Sequence, residues 1–267
     1  MTATSLFEPV DLAGSVGGVD VVMPTQLSRG PWSPDALHGG PVAALVVRAM
    51  ERVPAAIEMR LSRVTLELVR PVPMTALRIS ATAVPSPRRV GLVEAELRTV
   101  ADDQLVALAR GVRIRVAPAD IGDPVVDDVP RRPNDASPPW DHAGTAFHSD
   151  AVEHRLTSGH LDEAGPATDW IRLRVPVLPD EEPTGWQRAV AAADFVNGVS
   201  SIGSWDDWLF INPDLTVHLW REPEGPDVCL DAVTRTEGDG IAIAEAALFD
   251  ERGRIGRCVQ SLLIDRR

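Results

Sequence analysis

Two side chains are polar where their surroundings are not. Asp194 lies in Ala191-Ala-Ala-Asp-Phe-Val196, inside a stretch of helical character, and Gln260 lies in Cys258-Val-Gln-Ser-Leu262, inside a strand-like run. Burying an ionised carboxylate costs several kcal/mol unless partners compensate. Asp194 therefore either turns to solvent, near Arg188 and Asn197 in helical projection, or is buried among compensating partners and held for a function. Gln260 is either a residue of the exposed strand face or a polar group held inside a core strand. A third feature is His38-Gly39-Gly40-Pro41, ahead of an apolar run, Val42–Met50. Proline at a first helical position gives up only a donor that lacks a partner there, so the spacing predicts a helix opening at Pro41. Glycines before it permit close backbone approach, and the positive end of the helix suits a developing negative charge. A plain helix-entry turn is the alternative reading.

Other chemistries are poorly supported. His142, His148, His154 and His160 recur at even spacing, but Gly144, Gly159 and Thr157-Ser158 break any element that would align them. No cysteine or paired carboxylate completes a ligand set, so no metal is expected. His218 alternates with Val217 and Leu219, which suits a hydrogen-bonded histidine on the polar face of a strand. A Gly-x-Ser-x-Gly elbow, a Cys/His nucleophile pair, a P-loop and a dinucleotide fingerprint are all missing.

The elements that must position these groups come in two copies. Val64-Thr-Leu-Glu-Leu-Val-Arg-Pro-Val72 is echoed by Leu215-Thr-Val-His-Leu-Trp-Arg-Glu-Pro223, with Thr65 on Thr216, Arg70 on Arg221, Ala81 on Ala232 and Glu94 on Glu245, at a constant offset of 151. Strand-like runs follow in each copy, Ala76–Val84 with Val90–Leu97 and Val228–Thr236 with Ile241–Phe249. Further strands are expected at Val19–Met23, Ala151–Leu156 and Trp170–Val177, and a second helix over about Thr184–Ile202. A proline-rich, polar stretch at 118–141 reads as a linker between domains 1–117 and 142–267. One long helix against a mostly antiparallel sheet, twice over, is an α+β architecture. A repeat of this length places a functional site near the seam and allows one copy to keep chemistry the other has lost.

Composition narrows the partners. The 267 residues are 44% apolar and 24% charged, without an apolar run long enough for a membrane span. Neither the N-terminal segment nor the two cysteines, Cys229 and Cys258 in apolar runs, suggests secretion, so buried free thiols and a cytoplasmic setting are expected. A net charge of −13 disfavours nucleic acid and anionic membranes. All 26 basic residues are arginine, and an anionic ligand would need a local cluster of them. Arg88-Arg89, Arg131-Arg132 and Arg266-Arg267 are the candidates, each also readable as a solvated turn or tail.

The order of elements, His38-Gly39-Gly40 at a helix entrance, and Asn212-Pro-Asp-Leu-Thr-Val-His-Leu-Trp-Arg-Glu-Pro223 together resemble the double hotdog acyl-CoA thioesterases, the two-domain TesB-like group. The resemblance spans about residues 20–265 apart from the linker. It implies a double hotdog fold and a water held by an Asp of the second helix, a Thr at the start of the next strand and a Gln on the last strand. Matched residue by residue, these are Asp194, Asn212 and Gln260, with Asn212 a departure whose amide differs from a hydroxyl as donor and acceptor. The resemblance further implies an acyl-CoA substrate, no cofactor, an oxyanion and substrate-binding role for His38, Gly39 and Gly40, and a homodimer or larger homo-oligomer. Two other readings stay open. One is a hotdog protein that binds an acyl thioester or fatty acyl group without hydrolysing it, which the Asn212 departure favours. The other is a hydratase or dehydratase, which wants an acid–histidine pair across the seam; Pro34-Asp35-Ala-Leu-His38 lacks the usual Gly-Asp-x-Asn-Pro-x-His arrangement.

Overall fold

From Val90 to Thr99 buried and outward residues alternate without a break, the period of a strand with one face on a core. The same pattern recurs through the chain. In a computed structural model that describes residues 4–10, 19–120, 122, 127–138, 140, 144–160 and 163–267, the first half contains β1 (Phe7–Pro9), β2 (Val19–Pro24), α1 (Gly39–Glu51), β3 (Met59–Leu68), β4 (Leu77–Val84), β5 (Val90–Thr99) and β6 (Leu105–Arg115). The second half contains β7 (Val152–Ser158), β8 (Ala167–Leu173), α2 (Gly185–Ala193), α3 (Val196–Val199), β9 (Trp208–Ile211), β10 (Asp214–Leu219), β11 (Asp227–Thr236), β12 (Ile241–Asp250) and β13 (Gly253–Arg266).

The strands join in one antiparallel sheet, ordered β1-β2-β4-β5-β6-β3-β10-β13-β12-β11-β8-β7, with β9 added to β13. Exchange each strand for its repeat partner and the order reads the same from either end. The seam is therefore β3 against β10, where Thr65 lies opposite Thr216 and their hydroxyl oxygens are 3.2 Å apart. Residues equivalent by the repeat face each other across an internal two-fold, as the paralogous halves of an isologous dimer would.

Both helices lie against the sheet. α1 is apolar nearly all round, and Val42 to Val47 and Met50 are buried, as expected of a helix enclosed by the core. Each buried Leu, Val or Met there stabilises the fold by about 1.5–3 kcal/mol. α1 and α2 run antiparallel: the start of α1 meets Ala191 and Asp194 at the end of α2, and Glu51 at its other end accepts hydrogen bonds from Thr184 Oγ1 (2.8 Å) and Gln187 Nε2 (2.8 Å).

Several expectations are corrected. α1 opens two residues earlier than its proline suggested, at Gly39, so Pro41 is the third helical residue. That is still within the first turn, whose N–H groups have no intrahelical partner. The second helix is not one long rod from Thr184 to Ile202. It stops at Ala193, and after Asp194 and Phe195 the short α3 resumes. Only α1, with 13 residues, is long; α2 has 9. β8 spans Ala167–Leu173 rather than Trp170–Val177. Arg188 is not a partner of Asp194, because its guanidinium donates to Pro183 O.

Residues 127–138 contain no helix or strand but are not a loose tether. Ser137 N–H donates to His154 O (2.7 Å), Leu156 N–H donates to Ser137 Oγ (2.9 Å), and Arg132 pairs with the buried Asp227 (2.8 Å). The segment thus lies along β7, the end strand of the sheet, and covers an edge that is otherwise open to pairing. Cys229 and Cys258 are free and buried. Among the described residues no helix is long and apolar enough to cross a membrane, and no group of three or more His, Cys, Asp or Glu side chains has metal-site geometry; His142 lies outside those residues.

Candidate active site

The break between α2 and α3 aims the carboxylate of Asp194. Asp194 is the C-cap of α2, with φ −68° and ψ −12°, and its side chain leaves the helix pair toward the seam. It is 4% exposed. Asn212 Nδ2 donates to Oδ1 at 2.9 Å, and Gln260 Nε2 donates to the same oxygen at 3.1 Å. The structure thus brings together the three side chains singled out from the sequence, which come from a helix end, the loop before β10 and the last strand. Local ties fix the two amides. Leu68 N–H of β3 donates to Pro213 O (2.7 Å), and Ser261 N–H donates to Asp214 Oδ1 (2.7 Å). The loop carrying Asn212 is therefore stitched to the first half on one side and to the strand of Gln260 on the other.

The first half supplies the rest. His38 Nδ1 is 2.7 Å from Asp194 Oδ2 and 3.2 Å from the Gly40 nitrogen. One ring nitrogen cannot donate to a carboxylate and accept an amide proton at once. The shorter, charge-assisted contact decides the matter: Nδ1 carries the proton and donates to Asp194, which leaves the Gly40 N–H for another acceptor. The carboxylate also abuts the backbone where α1 begins. A Cβ on Gly39 would stand 2.6 Å from Oδ1 and 2.7 Å from Oδ2, and one on Gly40 would stand 2.7 Å from Phe147 Cε1 and 2.9 Å from Ala191 O. These contacts are why both positions are glycine. They set an ionised acid at the positive end of a helix, where a negative charge is favoured.

Aromatic rings close over this group. The imidazole of His38 packs against both Phe147 (5.0 Å between centroids) and Phe195 (4.8 Å), which stack on each other at 5.5 Å. Phe195 is braced from behind by His154 and Trp140. His154 is held in turn by the fully buried Asp169, 2.5 Å from its Nδ1.

Sequence reasoning gave His38 a place near substrate and missed its contact with Asp194. An acid–histidine pair does span the seam, but its acid is Asp194 and not Asp35. The paired glycines were the available signal, since two glycines at a helix start ask what comes so close. The bracing pair Asp169 and His154 had none, because their partnership arises only when β7 pairs with β8.

The other end of the helix pair differs. Counting from the first helical glycine, Gly39 or Gly185, Arg48 takes the place that Asp194 has in the second half. Arg48 is buried and pairs with Glu181 (2.6 Å) and Asp20 (2.7 Å). Burial opposes its charge, but these two carboxylates hold the guanidinium value above its ordinary one. Burial pushes the Glu51 carboxyl up, against hydrogen bonds from Gln187 and Thr184. An arginine at that place cannot act as a base, so the arrangement around Asp194 has no counterpart there. A surface groove of about 560 Å³ lined by Ser62, His218, Trp220 and Arg257 lies on the opposite face of the sheet from Gln260 and has no part in this site.

Residues 28–114 match the model of the acyl-CoA thioesterase N-terminal domain, and residues 126–264 match that of the acyl-CoA thioesterase C-terminal domain. No curated protein matches the chain in sequence. Among solved structures, it is similar to a conserved protein of unknown function with hot dog fold from Alicyclobacillus acidocaldarius (16% identity, 93% of each chain, TM-score 0.69). It is also similar to the tesB protein of Mycobacterium avium subs paratuberculosis (14% identity, 94% of this chain and 95% of that one, TM-score 0.68) and to the acyl-CoA thioesterase II TesB2 of Mycobacterium marinum (12%, 94% and 92%, TM-score 0.63). At such identities these likenesses establish the hotdog fold.

Proposed function

The chain belongs to the acyl-CoA thioesterase family, a family of thioester hydrolases, and from that premise we propose that Asp194, Asn212 and Gln260 hold the water that cleaves an acyl-CoA thioester. The observation that carries the reading is an unfilled pair of acceptors. A carboxylate offers about four acceptor sites. Asn212, Gln260 and His38 occupy three of those on Asp194. Gln260 Oε1 is buried without a hydrogen-bond partner. A water that donates one hydrogen bond to the remaining site of Asp194 and one to Gln260 Oε1 satisfies both and has its oxygen lone pair free.

The reaction follows from that placement. The water oxygen attacks the thioester carbonyl carbon while Asp194 takes its proton. The carbonyl oxygen becomes an oxyanion, stabilised by the Gly39 and Gly40 N–H groups at the positive end of α1. Collapse breaks the carbon–sulfur bond, and the departing thiolate takes the proton back from Asp194, giving a free acid and CoA with no covalent intermediate. Phe147 and Phe195 form the apolar wall for the acyl chain. Asn212 in place of threonine keeps the donor that matters, since its Nδ2 reaches Oδ1 as a hydroxyl would.

Free-thiol release from a panel of acyl-CoAs, by the unmodified protein and by Asp194→Asn and Asp194→Ala, tests this. Loss of turnover in both variants supports it, and unchanged turnover rejects the assignment. Tight acyl-CoA binding with no thiol released by the unmodified protein favours the binding-protein reading instead. The contact between His38 and Asp194 supports a second assignment, with His38 as base and Asp194 orienting it. His38→Ala as damaging as Asp194→Asn would move the role to the imidazole.

A further inference from the structure

Of the three arginine pairs in the sequence, one ends the strand that carries Gln260. Arg132 is committed to Asp227 and Glu251, and Arg88-Arg89 sit on the turn between β4 and β5, on the far side of β6 from the seam strand β3. Arg266 and Arg267 are different. Arg266 lies over the face of Trp208, 4.1 Å from its centroid, and Arg267 over Trp32 at 5.4 Å; Trp32 in turn meets Trp205 at 5.4 Å. Among the described residues neither guanidinium has a carboxylate within 4.0 Å. Asp206 and Asp207 share the turn, and Asp207 contributes its backbone oxygen to the Arg267 N–H (3.2 Å). A chain of net charge −13 that leaves two adjacent cations without a carboxylate partner, each over an indole, presents positive charge to an anion beside aromatic rings.

Register connects this cluster to the catalytic carboxylate. Arg266 pairs with Trp208 and Ile264 with Phe210 in the β13–β9 ladder. Side chains two apart share a face. Gln260, Leu262, Ile264 and Arg266 therefore form one row, and Asn212, Phe210 and Trp208 run beside it. Exposure rises outward along the row: Gln260 is 0% and Leu262 3% exposed, Ile264 is half-buried and Arg266 exposed. From Gln260 to Arg266 is six residues, about 20 Å at the rise of a strand, the length scale of an extended pantetheine arm. On the other side, Trp32 stands in the segment that leads into His38.

We propose that Arg266, Arg267, Trp32, Trp205 and Trp208 form the subsite for the nucleotide end of CoA, with the guanidinium groups on its phosphates and an indole face against the adenine. Arginine forks match phosphate oxygens in bidentate geometry, and stacking on tryptophan needs no hydrogen bond to the base. The subsite rests on the thioesterase reading for its substrate, but it binds by its own chemistry, so the two can fail separately.

The test compares the unmodified protein with R266Q/R267Q and, as a milder change, Trp208→Phe. Binding of adenosine 3′,5′-bisphosphate is measured by calorimetry. KM is measured for an acyl-CoA and for the matching acyl-pantetheine, which lacks the nucleotide. The expected result is that the unmodified protein binds the bisphosphate and that R266Q/R267Q, still folded by thermal unfolding, binds it about tenfold or more weakly, the loss of one charge-assisted hydrogen bond. KM for acyl-CoA rises by a similar factor while that for acyl-pantetheine is unchanged, and Trp208→Phe shifts both readouts the same way by less. Equal bisphosphate affinity in variant and unmodified protein, no bisphosphate binding by either, or equal rises in KM for both thioesters overturns the subsite. Absence of hydrolysis of either thioester, with bisphosphate binding lost in R266Q/R267Q, rejects the hydrolase reading and leaves the subsite standing.

Discussion

Replacing Gly39 by alanine sets two known effects against each other. The new Cβ stands 2.6 Å from Asp194 Oδ1 and 2.7 Å from Oδ2. Reaching the 3.4 Å of ordinary contact requires the carboxylate or the start of α1 to recede by about 0.7–0.8 Å. Neither is free to move cheaply. Asp194 is tied to Asn212, Gln260 and His38, and α1 is packed on every side. Misplacing a catalytic group by about 1 Å costs on the order of 10²-fold in rate, or about 2.7 kcal/mol at 1.36 kcal/mol per factor of ten. Stability falls as well. Alanine in place of helical glycine gains at most about 0.5–1 kcal/mol, whereas each loosened hydrogen bond to the Asp194 carboxylate costs about 1.5–3 kcal/mol, so Tm drops by about 2–4 °C for each kcal/mol of net loss in a chain of this size. The assay is kcat from thiol release beside a thermal unfolding curve. Gly91→Ala serves as control, because its Cβ meets the flexible Met59 at 3.2 Å, remote from Asp194. A Gly39→Ala protein that folds and keeps unmodified kcat refutes the reasoning, since the position of the carboxylate would then not matter to the reaction.

Other consequences are simpler to check. Burial pushes the Cys229 thiol far up and the Cys258 thiol up to about 12, so neither reacts with a thiol reagent at pH 8 until denaturant is added, when both do. Arg221 forks onto the fully buried Asp250, which also accepts the N–H groups of Glu224 and Arg252. Arg221→Met leaves that buried carboxylate without its charge partner and is expected to destabilise the protein by about 3 kcal/mol at pH 7, read from urea unfolding. Burial alone would raise the Asp250 value, but Arg221 and the two backbone donors hold it below the ordinary one. An acid lowered by folding stabilises above its unfolded value, about 3.9, and loses that contribution as pH falls through the folded value. The gap between unmodified protein and Arg221→Met therefore narrows below about pH 4.

The strands were largely legible because the repeat carries them in register. β5 at Val90–Thr99 and β12 at Ile241–Asp250 fall at the same offset as Thr65 and Thr216, and each strand announces itself by alternation. The helices do not share that offset. Seven residues separate Glu51 at the end of α1 from Met59 at the start of β3, whereas the second half interposes α3, a turn and β9 between α2 and β10. The break at Asp194 was invisible for a related reason. Alanines, Phe195 and Val196 read as continuous helix by propensity, and only the pull of Asn212, Gln260, His38 and the start of α1 on one carboxylate justifies ending α2 there. Asp194 and Gln260 could be picked out as polar groups in apolar runs. Asn212 came only with the resemblance to a family, because a loop asparagine before a proline has no feature of its own. The His38 contact and the rings above it depend on the two halves meeting at β3 and β10, which no local pattern encodes.

In the proposed reaction, solvent positioned by Asp194 attacks the thioester directly. A single turnover in water enriched in oxygen-18, with enzyme in excess over acyl-CoA, tests it by mass spectrometry of both the released acid and the peptide containing Asp194. Direct attack puts the heavy oxygen into the acid at the first turnover and leaves Asp194 unlabelled. Heavy oxygen in Asp194, with unlabelled acid, would show that the carboxylate itself is acylated and would contradict the account.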